Sequence, residues 1–512
     1  MINIKNLSIS TKDGKDIIDN LSININNGDR LAIIGEEGNG KSTLLKCIYN
    51  KRLIQDYTIV TGNILCNNIC IGYLEQFLDS QWNFQSVENY FLKQLPESEI
   101  DYEKYNNFFE VECFFKLLNL NNNILSQDRF INVLSGGEKV KLQIIKILLN
   151  KPDILILDEP TNDIDIETLE WLEQFIITST IPIIYVSHDE TLLEKTSNCI
   201  LHLEKIDNKK QVKHTFERIG YKQYLEKRLN LLQKQEQMAK NEKREYDKQL
   251  QKFNQICNKV EYEQETISRQ NPSGGRLLKK KMKSVKALEK RLEDKVLTKR
   301  PNPEEIILIK FHNRDTIHKS KVVLDYNLDT LKINEKILKE NIHIKLIGKE
   351  KMCIIGRNGT GKTTLLKKIY EYMKNRKDIK VGYMPQNYDD VLDLNISAIE
   401  FLKNNNTKDE ETKISTYLGS MKFTRDEMLE NINNLSGGQK AKLFINKLIL
   451  DDCDVLLLDE PTRNLSPLSN PVIREVLKNF NGAILSVSHD RKYIHEVANK
   501  VFDLDKNLIF NI

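Results

Sequence analysis

Lys41 and Lys362 each follow a glycine-rich run and precede a hydroxyl residue: "GEEGNGKST" spans Gly35 to Thr43, and "GRNGTGKTT" spans Gly356 to Thr364. Each run comes after a short apolar segment, "RLAIIG" or "KMCIIG", that reads as a strand. A loop of this pattern between a strand and a helix points backbone N–H groups inward at a helix N-terminus, which suits the β- and γ-phosphates of a nucleotide. The expected contributors to the first loop are Gly35, Gly38, Asn39, Gly40, Lys41, Ser42 and Thr43. Those of the second are Gly356, Asn358, Gly359, Thr360, Gly361, Lys362, Thr363 and Thr364. The lysines are expected on the phosphates, and the hydroxyls of Ser42 and Thr363 on Mg²⁺. Downstream of each loop a four-residue apolar strand ends in Asp-Glu, in "ILILDEP" and "VLLLDEP". Asp158 and Asp459 suit the magnesium ion, directly or through a neighbour, while Glu159 and Glu460 are placed to polarise an attacking water. A carboxylate after a strand can also simply cap a helix, but the matched motifs around both pairs set that reading aside.

The set recurs in one order. In the first half the loop is followed by "GYLEQ" ending at Gln76, "LSGGE" from Leu134 to Glu138, the Asp-Glu strand and "IIYVSHD" with His188. In the second half come "GYMPQ" ending at Gln386, "LSGGQ" from Leu435 to Gln439, the Asp-Glu strand and "ILSVSHD" with His489. Ser135 and Ser436, Glu159 and Glu460, and His188 and His489 are all 301 positions apart, so the halves are collinear copies. One departure stands out: the first phosphate loop carries Glu36 and Glu37 where the second has Arg357 and Asn358. Acidic side chains beside a polyanion are expected to weaken or retime the first site. Neither loop is preceded by an aromatic residue placed to stack on a base.

These loops need two separate α/β cores, and 512 residues are too many for one core. With 40% hydrophobic and 29% charged residues the chain reads as globular. No run of eighteen apolar residues occurs, and "MINIKNLSIS" lacks the basic-then-apolar order of a signal peptide, so a cytoplasmic location is expected. The eight cysteines suit a reducing compartment. The closest pair, Cys66 and Cys70, has no partners at metal-ligand spacing, and all eight read as structural.

The net charge of +4 is unevenly placed. Tyr221 to Arg300 holds 22 Lys+Arg against 11 Asp+Glu, so the rest of the chain is net acidic. Within it, Ser268 to Arg300 holds 12 basic residues and 3 acidic ones, a focus that points to a polyanionic partner. A charge run is usually a solvated helix face. Such a face alternates signs, as Lys222 to Lys248 does; Lys279, Lys280, Lys281, Lys283 and Lys286 do not. Leu225, Leu229 and Leu232, then Tyr246, Leu250, Phe253, Ile256 and Val260, fall at helical steps, as do Leu278, Met282, Val285, Leu288, Leu292 and Val296. These stripes are expected to pack together as the core of an antiparallel hairpin, with "RQNPSGG" as the turn and "KRPNP" as the stop.

The "LSGGE" and "LSGGQ" segments resemble the signature of the ATP-binding cassette (ABC) superfamily, and the resemblance covers nearly all of residues 1–205 and 305–512. It implies an α/β fold class: two tandem ABC-type nucleotide-binding domains joined by an antiparallel α-helical hairpin linker at 206–304, its tip near 262–276. In that family two cassettes meet head to tail, and the signature of one closes on the γ-phosphate held by the other. Ser436, Gly437 and Gly438 would then complete the site of Lys41, and Ser135, Gly136 and Gly137 that of Lys362. Gln76 and Gln386 match the glutamines that sense magnesium and the attacking water, and His188 and His489 match the switch histidines. The implied cofactors are ATP and Mg²⁺, with ATP joining the halves and hydrolysis releasing them.

Two cassettes in one chain around a basic hairpin look like the ABC-F family of translation factors. That resemblance implies binding at the exit site of the bacterial ribosome, with the linker reaching toward the peptidyl-transferase centre, large-subunit rRNA and peptidyl-site tRNA. It also implies a monomer with intramolecular cassette pairing and no membrane subunit. Arg269, Asn271, Pro272, Ser273, Gly274, Gly275, Arg276, Lys279, Lys280, Lys281, Lys283 and Lys286 are the expected RNA contacts and tip. "DEPTRNLSPLSNPVIREVL" looks like the antibiotic-resistance branch, the Vga, Msr and Lsa group. Gln76 to Leu134 spans 58 positions against 49 in the second half, so no large extra arm is expected. A housekeeping translation factor of the same family and the ATPase subunit of an exporter are the competing readings.

Overall fold

The computed structural model describes residues 2–512 apart from 67–68, 94, 101–107, 118–119, 121–128, 163, 207–210, 267–271, 294–316, 319, 334–335, 404–406 and 422. It forms two compact units, one of Met1–Tyr221 with Glu304–Ile512 and one of Lys222–Pro303.

The first unit holds both halves of the repeat. β1 (Ile2–Thr11), β2 (Asp16–Ile25) and β4 (Thr58–Leu65) form an antiparallel sheet in the order β2-β1-β4. β3 (Arg30–Ile34), β5 (Ile71–Leu74), β6 (Ile154–Asp158), β7 (Ile183–Val186), β8 (Cys199–Ile206) and β9 (Gln211–Glu217) form a second sheet in the order β5-β6-β7-β3-β8-β9. The first five of these lie parallel and β9 is antiparallel. β6 and β7 are fully buried along their length, which explains their unbroken apolar sequence. The expected boundary at 205/206 is therefore corrected: β9 lies beyond it and continues the first sheet by pairing with β8.

The second half repeats the plan. β10 (Val322–Ile333) and β11 (Lys336–Ile347) pair antiparallel. β12 (Lys351–Ile355), β13 (Val381–Met384), β14 (Val455–Asp459), β15 (Ala483–Val487), β16 (Lys500–Asp503) and β17 (Leu508–Asn511) run in the order β13-β14-β15-β12-β16-β17. In both halves the strand before the phosphate loop and the strand ending in Asp-Glu flank the strand that leads to the histidine. Three groups thus converge at the carboxyl ends of neighbouring parallel strands, the usual ligand edge of such sheets.

The second unit is a pair of helices, Tyr221–Thr266 and Pro272–Glu293. The first spans about 70 Å at the usual rise per residue, and it runs through the polar stretch around Gln233 to Glu245 without a break. Phe253, Val260 and Val285 are buried together, with Tyr246, Cys257 and Met282 packed against them. Lys281 donates to Glu263 at 2.9 Å while Val285, farther along, packs with Val260 and Phe253, so the two helices run antiparallel. Two expectations change here. Pro272 to Gly275 start the second helix instead of forming the turn, because proline in the first turn needs no N–H and brings a suitable φ; residues 267–271 lie outside the described residues, as does the expected stop. Leu229, Leu250 and Ile256 are exposed, and Cys257, next to Ile256, takes the packed place beside Phe253, Val260 and Val285.

Candidate functional site

Each phosphate loop ends at a glycine in the left-handed region, Gly40 at φ 85° and Gly361 at φ 95°, which caps its helix without a side-chain bond. A Cβ on Gly40 would fall 2.1 Å from Ile17 Cγ2, so the loop's course depends on glycine there. Lys41 and Lys362 are buried and donate to the carbonyls of their own loops: Lys41 to Gly35 at 2.9 Å and Glu36 at 3.0 Å, Lys362 to Gly356 at 2.7 Å and Arg357 at 2.8 Å. Burial lowers both ammonium pKa values, against neighbouring carboxylates that favour the charge. Asn39 is buried and donates to Leu203 O at 3.0 Å, so it braces the loop. Thr360 does so through Arg357 O at 2.9 Å.

Ser42 donates to Asp158 at 3.0 Å and Thr363 to Asp459 at 3.3 Å. Tyr73, which sequence reasoning passed over, donates to the other oxygen of Asp158 at 3.3 Å. It occurs in both "GYLEQ" and "GYMPQ", and that repetition was the available signal. Burial pushes both aspartates up to about 6. Asp459 Oδ2 is buried with no hydrogen-bond partner among the described residues. A hydroxyl facing a carboxylate with a spare oxygen is a hard-oxygen donor set that fits Mg²⁺.

The two glutamates follow β6 and β14 at φ 49° and 52°, but their surroundings differ. Glu159 accepts from Gln76 at 2.9 Å and Asn162 at 2.8 Å, and His188 Nε2 donates to it at 3.2 Å. Burial pushes Glu159 up, yet the hydrogen bond and charge of His188, the Asn162 amide and Lys41 outweigh it and hold the carboxyl at about 2. Leu465 of the other cassette orients that histidine by accepting from Nδ1 at 2.7 Å. Glu460 accepts only the backbone N–H of His489, at 3.3 Å, among the described residues, while the imidazole stands off at 3.8 Å. Burial, reinforced by Asp459, pushes Glu460 up to about 8, and burial with Lys362 pushes His489 down to about 4. His489 Nδ1 is buried with no hydrogen-bond partner among the described residues. The position matching Asn162 is Arg463, 301 residues on, and Gln386 lines the cavity.

Each signature serine caps a helix. Ser135 and Ser436 start Gly136–Leu148 and Gly437–Leu450 with reciprocal bonds to Glu138 and Gln439, as S-x-x-E/Q predicts. The structure brings each signature to the other half's phosphate loop. A cavity of about 760 Å³ is lined by Ser135 and Gly136 together with Asn358, Gly359, Lys362, Thr363, Glu460 and His489. A smaller one of about 330 Å³ is lined by Ser436 and Gly438 together with Glu36, Glu37, Gly38 and Asn39. Gly137 is buried against Thr168, and Gly437 lies beside Asn464 and Glu37. Thr43 and Thr364 lie in the first turns of their helices. Behind the histidines a buried ion network joins the halves: Arg474 to Glu190, Arg491 to Glu173 and Asp189, and Lys492 to Glu190 and Glu194. Sequence reasoning missed it, since nothing local marks ion pairs about 300 residues apart.

Of the basic linker residues, Arg276, Lys279, Lys280, Lys281, Lys283 and Lys286 are exposed on the second helix. Lys281 is engaged with Glu263, which removes it from the free cationic face. Arg269 and Asn271 lie outside the described residues, and Pro272, Ser273, Gly274 and Gly275 are placed by their backbone alone. Among the described residues no helix is long and apolar enough to cross a membrane.

A family profile described as "ABC transporter" matches residues 18–162 and 339–463. The ATP-binding protein Uup of Buchnera aphidicola subsp. Acyrthosiphon pisum is 30% identical over 524 residues, covering 100% of this chain and 81% of that protein. The ribosome protection protein VmlR of Bacillus subtilis is 28% identical over 525 residues, covering 99% and 87%. Among solved structures, an archaeal ribosome recycling factor, in complex with a ribosomal stalk protein, shares the fold with a TM-score of 0.60 at 20% identity, covering 98% of this chain and 87% of that one. With two matched cassettes in one chain, a helical pair between them and relatives that align across the whole of it, the chain is an ATPase of the ABC-F family.

Proposed function

We propose that this ATPase acts on the bacterial ribosome, its basic linker helix lying against RNA phosphates near the peptidyl-transferase centre, and that it protects the large subunit from antibiotics bound there. The observation that carries the reading is the exposed face of Arg276, Lys279, Lys280, Lys283 and Lys286 on a helix pair between two ATPase cassettes. Similarity to a ribosome protection protein across 99% of the chain supports it, as does the sequence "DEPTRNLSPLSNP". Protein surfaces of this kind bind RNA through its backbone, with a steep salt dependence and little base preference.

In the cassettes, Lys41 and Lys362 would bind the phosphates, and Ser42 with Asp158 and Thr363 with Asp459 would hold Mg²⁺, assisted by Gln76 and Gln386. When bound, the ion would supply charge neutralisation to the phosphates. Glu159 and Glu460 would orient and deprotonate water, Glu159 held in line by the His188 imidazole and Glu460 by the backbone N–H of His489. The proposed location is the cytoplasm, with the chain working as a monomer.

The test is sedimentation of the Glu159→Gln, Glu460→Gln double variant with ribosomes in ATP at rising salt, alongside drug susceptibility of cells carrying the intact protein. Salt-sensitive co-sedimentation with raised tolerance to large-subunit drugs is the expected result. Co-sedimentation with unchanged tolerance would assign a housekeeping translation role instead. Absence of co-sedimentation at low salt would remove the ribosome from the account.

A further inference from the structure

The acidic pair in the first phosphate loop reaches across the cassette interface. Glu37 accepts from the backbone N–H of Gly438 at 2.6 Å, and Glu36 pairs with Lys442 at 2.9 Å in surroundings that leave both side chains mostly buried. Gly438 is the second residue of the signature helix Gly437–Leu450, so its N–H is one of the amides that a helix leaves unpaired at its start. A carboxylate there is favoured by the helix dipole and by a charge-assisted hydrogen bond. A γ-phosphate held by the Lys41 loop would need the same donor. The close approach is specific to glycine: a Cβ on Gly438 would fall 2.7 Å from Asn464 O and 3.4 Å from Glu37 Oε2.

The second phosphate loop carries no acid at the matching position. Asn358 stands where Glu37 does, 321 positions on, and carries no charge. Arg357, the counterpart of Glu36, is a cation whose guanidinium forms an exposed ion pair with Glu167. The cavity there is more than twice as large. The departure noted in the sequence is therefore a built contact, and its effect differs from simple repulsion of the nucleotide.

We propose that Glu37 is a specificity-determining residue of the first composite site. Its carboxylate occupies the signature-helix donor that a third phosphate needs, so this site closes without a γ-phosphate and accepts a nucleoside diphosphate nearly as well as a triphosphate. Closure that depends on the γ-phosphate is left to the second site. The inference rests on the reading that the Lys41 loop and the Ser436 helix together form a nucleotide site.

Fluorescence titration of the full chain with methylanthraniloyl-labelled ADP and ATP, in a Lys362→Ala background that disables the second loop, tests it. With Glu37 intact the two affinities are expected to agree within roughly three-fold, and Glu37→Asn is expected to shift the ratio toward ATP by about ten-fold, the scale of one charge-assisted hydrogen bond. A merely structural effect would weaken both nucleotides together, since they share the phosphates that the loop holds. An unchanged ratio, or parallel weakening, overturns the proposal. Should Glu37→Asn fail to unfold cooperatively, the isosteric Glu37→Gln decides instead: a smaller shift toward ATP supports the proposal, and none overturns it. Lys41→Ala in the same background separates the two levels of inference. If labelled nucleotide still binds after that change, the assignment of the first site fails, and with it the proposal.

Discussion

Glu159 and Glu460 have the same neighbours in sequence and opposite protonation behaviour in the fold. Held at about 2 by His188, Asn162 and Lys41 against its burial, Glu159 is ionised across the working range. Buried beside Asp459 and held at about 8, Glu460 is mostly neutral at pH 7 and can accept a proton only as it ionises. Turnover of Glu159→Gln, which leaves the second site working, is therefore expected to rise by up to about ten-fold from pH 7 to pH 9. That of Glu460→Gln is expected to stay flat over the same interval; steady-state rates across that range check both. Stability follows the opposite sign. A carboxyl raised in the fold contributes stability that is complete below the unfolded value near 4.5 and is lost as pH rises through about 8. Glu460→Gln should accordingly flatten the decline in melting temperature between about pH 5 and pH 8.

At the scale of elements, the linker divides its cations into those that hold the hairpin and those that face solvent. Replacing Lys279, Lys280, Lys283 and Lys286 by Gln is expected to lower the slope of log affinity against log salt for ribosomes or RNA, by about 0.7–1 for each phosphate that no longer meets a cation. Lys281→Gln is expected to leave that slope unchanged while weakening the helix pair, a contrast that filter binding and thermal unfolding together resolve. The element boundaries also show what sequence patterns can carry. Phosphate loops, Asp-Glu strands and signature segments were legible because a few adjacent residues define each one and the repeat confirmed them. The start of the second linker helix at Pro272 was hidden, because Asn-Pro-Ser-Gly-Gly suits a turn or a first helical turn equally well. The exposure of Leu229, Leu250 and Ile256 was hidden too, since apolar type and spacing do not show which positions meet a partner: Cys257, not Ile256, joins the buried cluster.

At the scale of the whole molecule, the pairing of cassettes rests on contacts that no local pattern foretells, such as Glu37 with Gly438, 401 positions away. Arg474 is the anchor of the ion network, buried with Glu190 and also bonded to Glu496 at 2.8 Å. Arg474→Ala would remove the two guanidinium bonds to buried Glu190 and leave it only Lys492 at 3.2 Å, and a loss of about 3 kcal/mol in chemical denaturation is expected. The network also has a direction. The carboxylates that cross the interface, Glu173, Asp189, Glu190 and Glu194, all belong to the first half, and the cations Arg474, Arg491 and Lys492 all belong to the second. Two copies of the first half brought face to face would oppose acid to acid, and two copies of the second would oppose base to base. The two halves repeat one another in sequence, yet they meet as a lock meets its key, each complementary in charge to the other and not to itself.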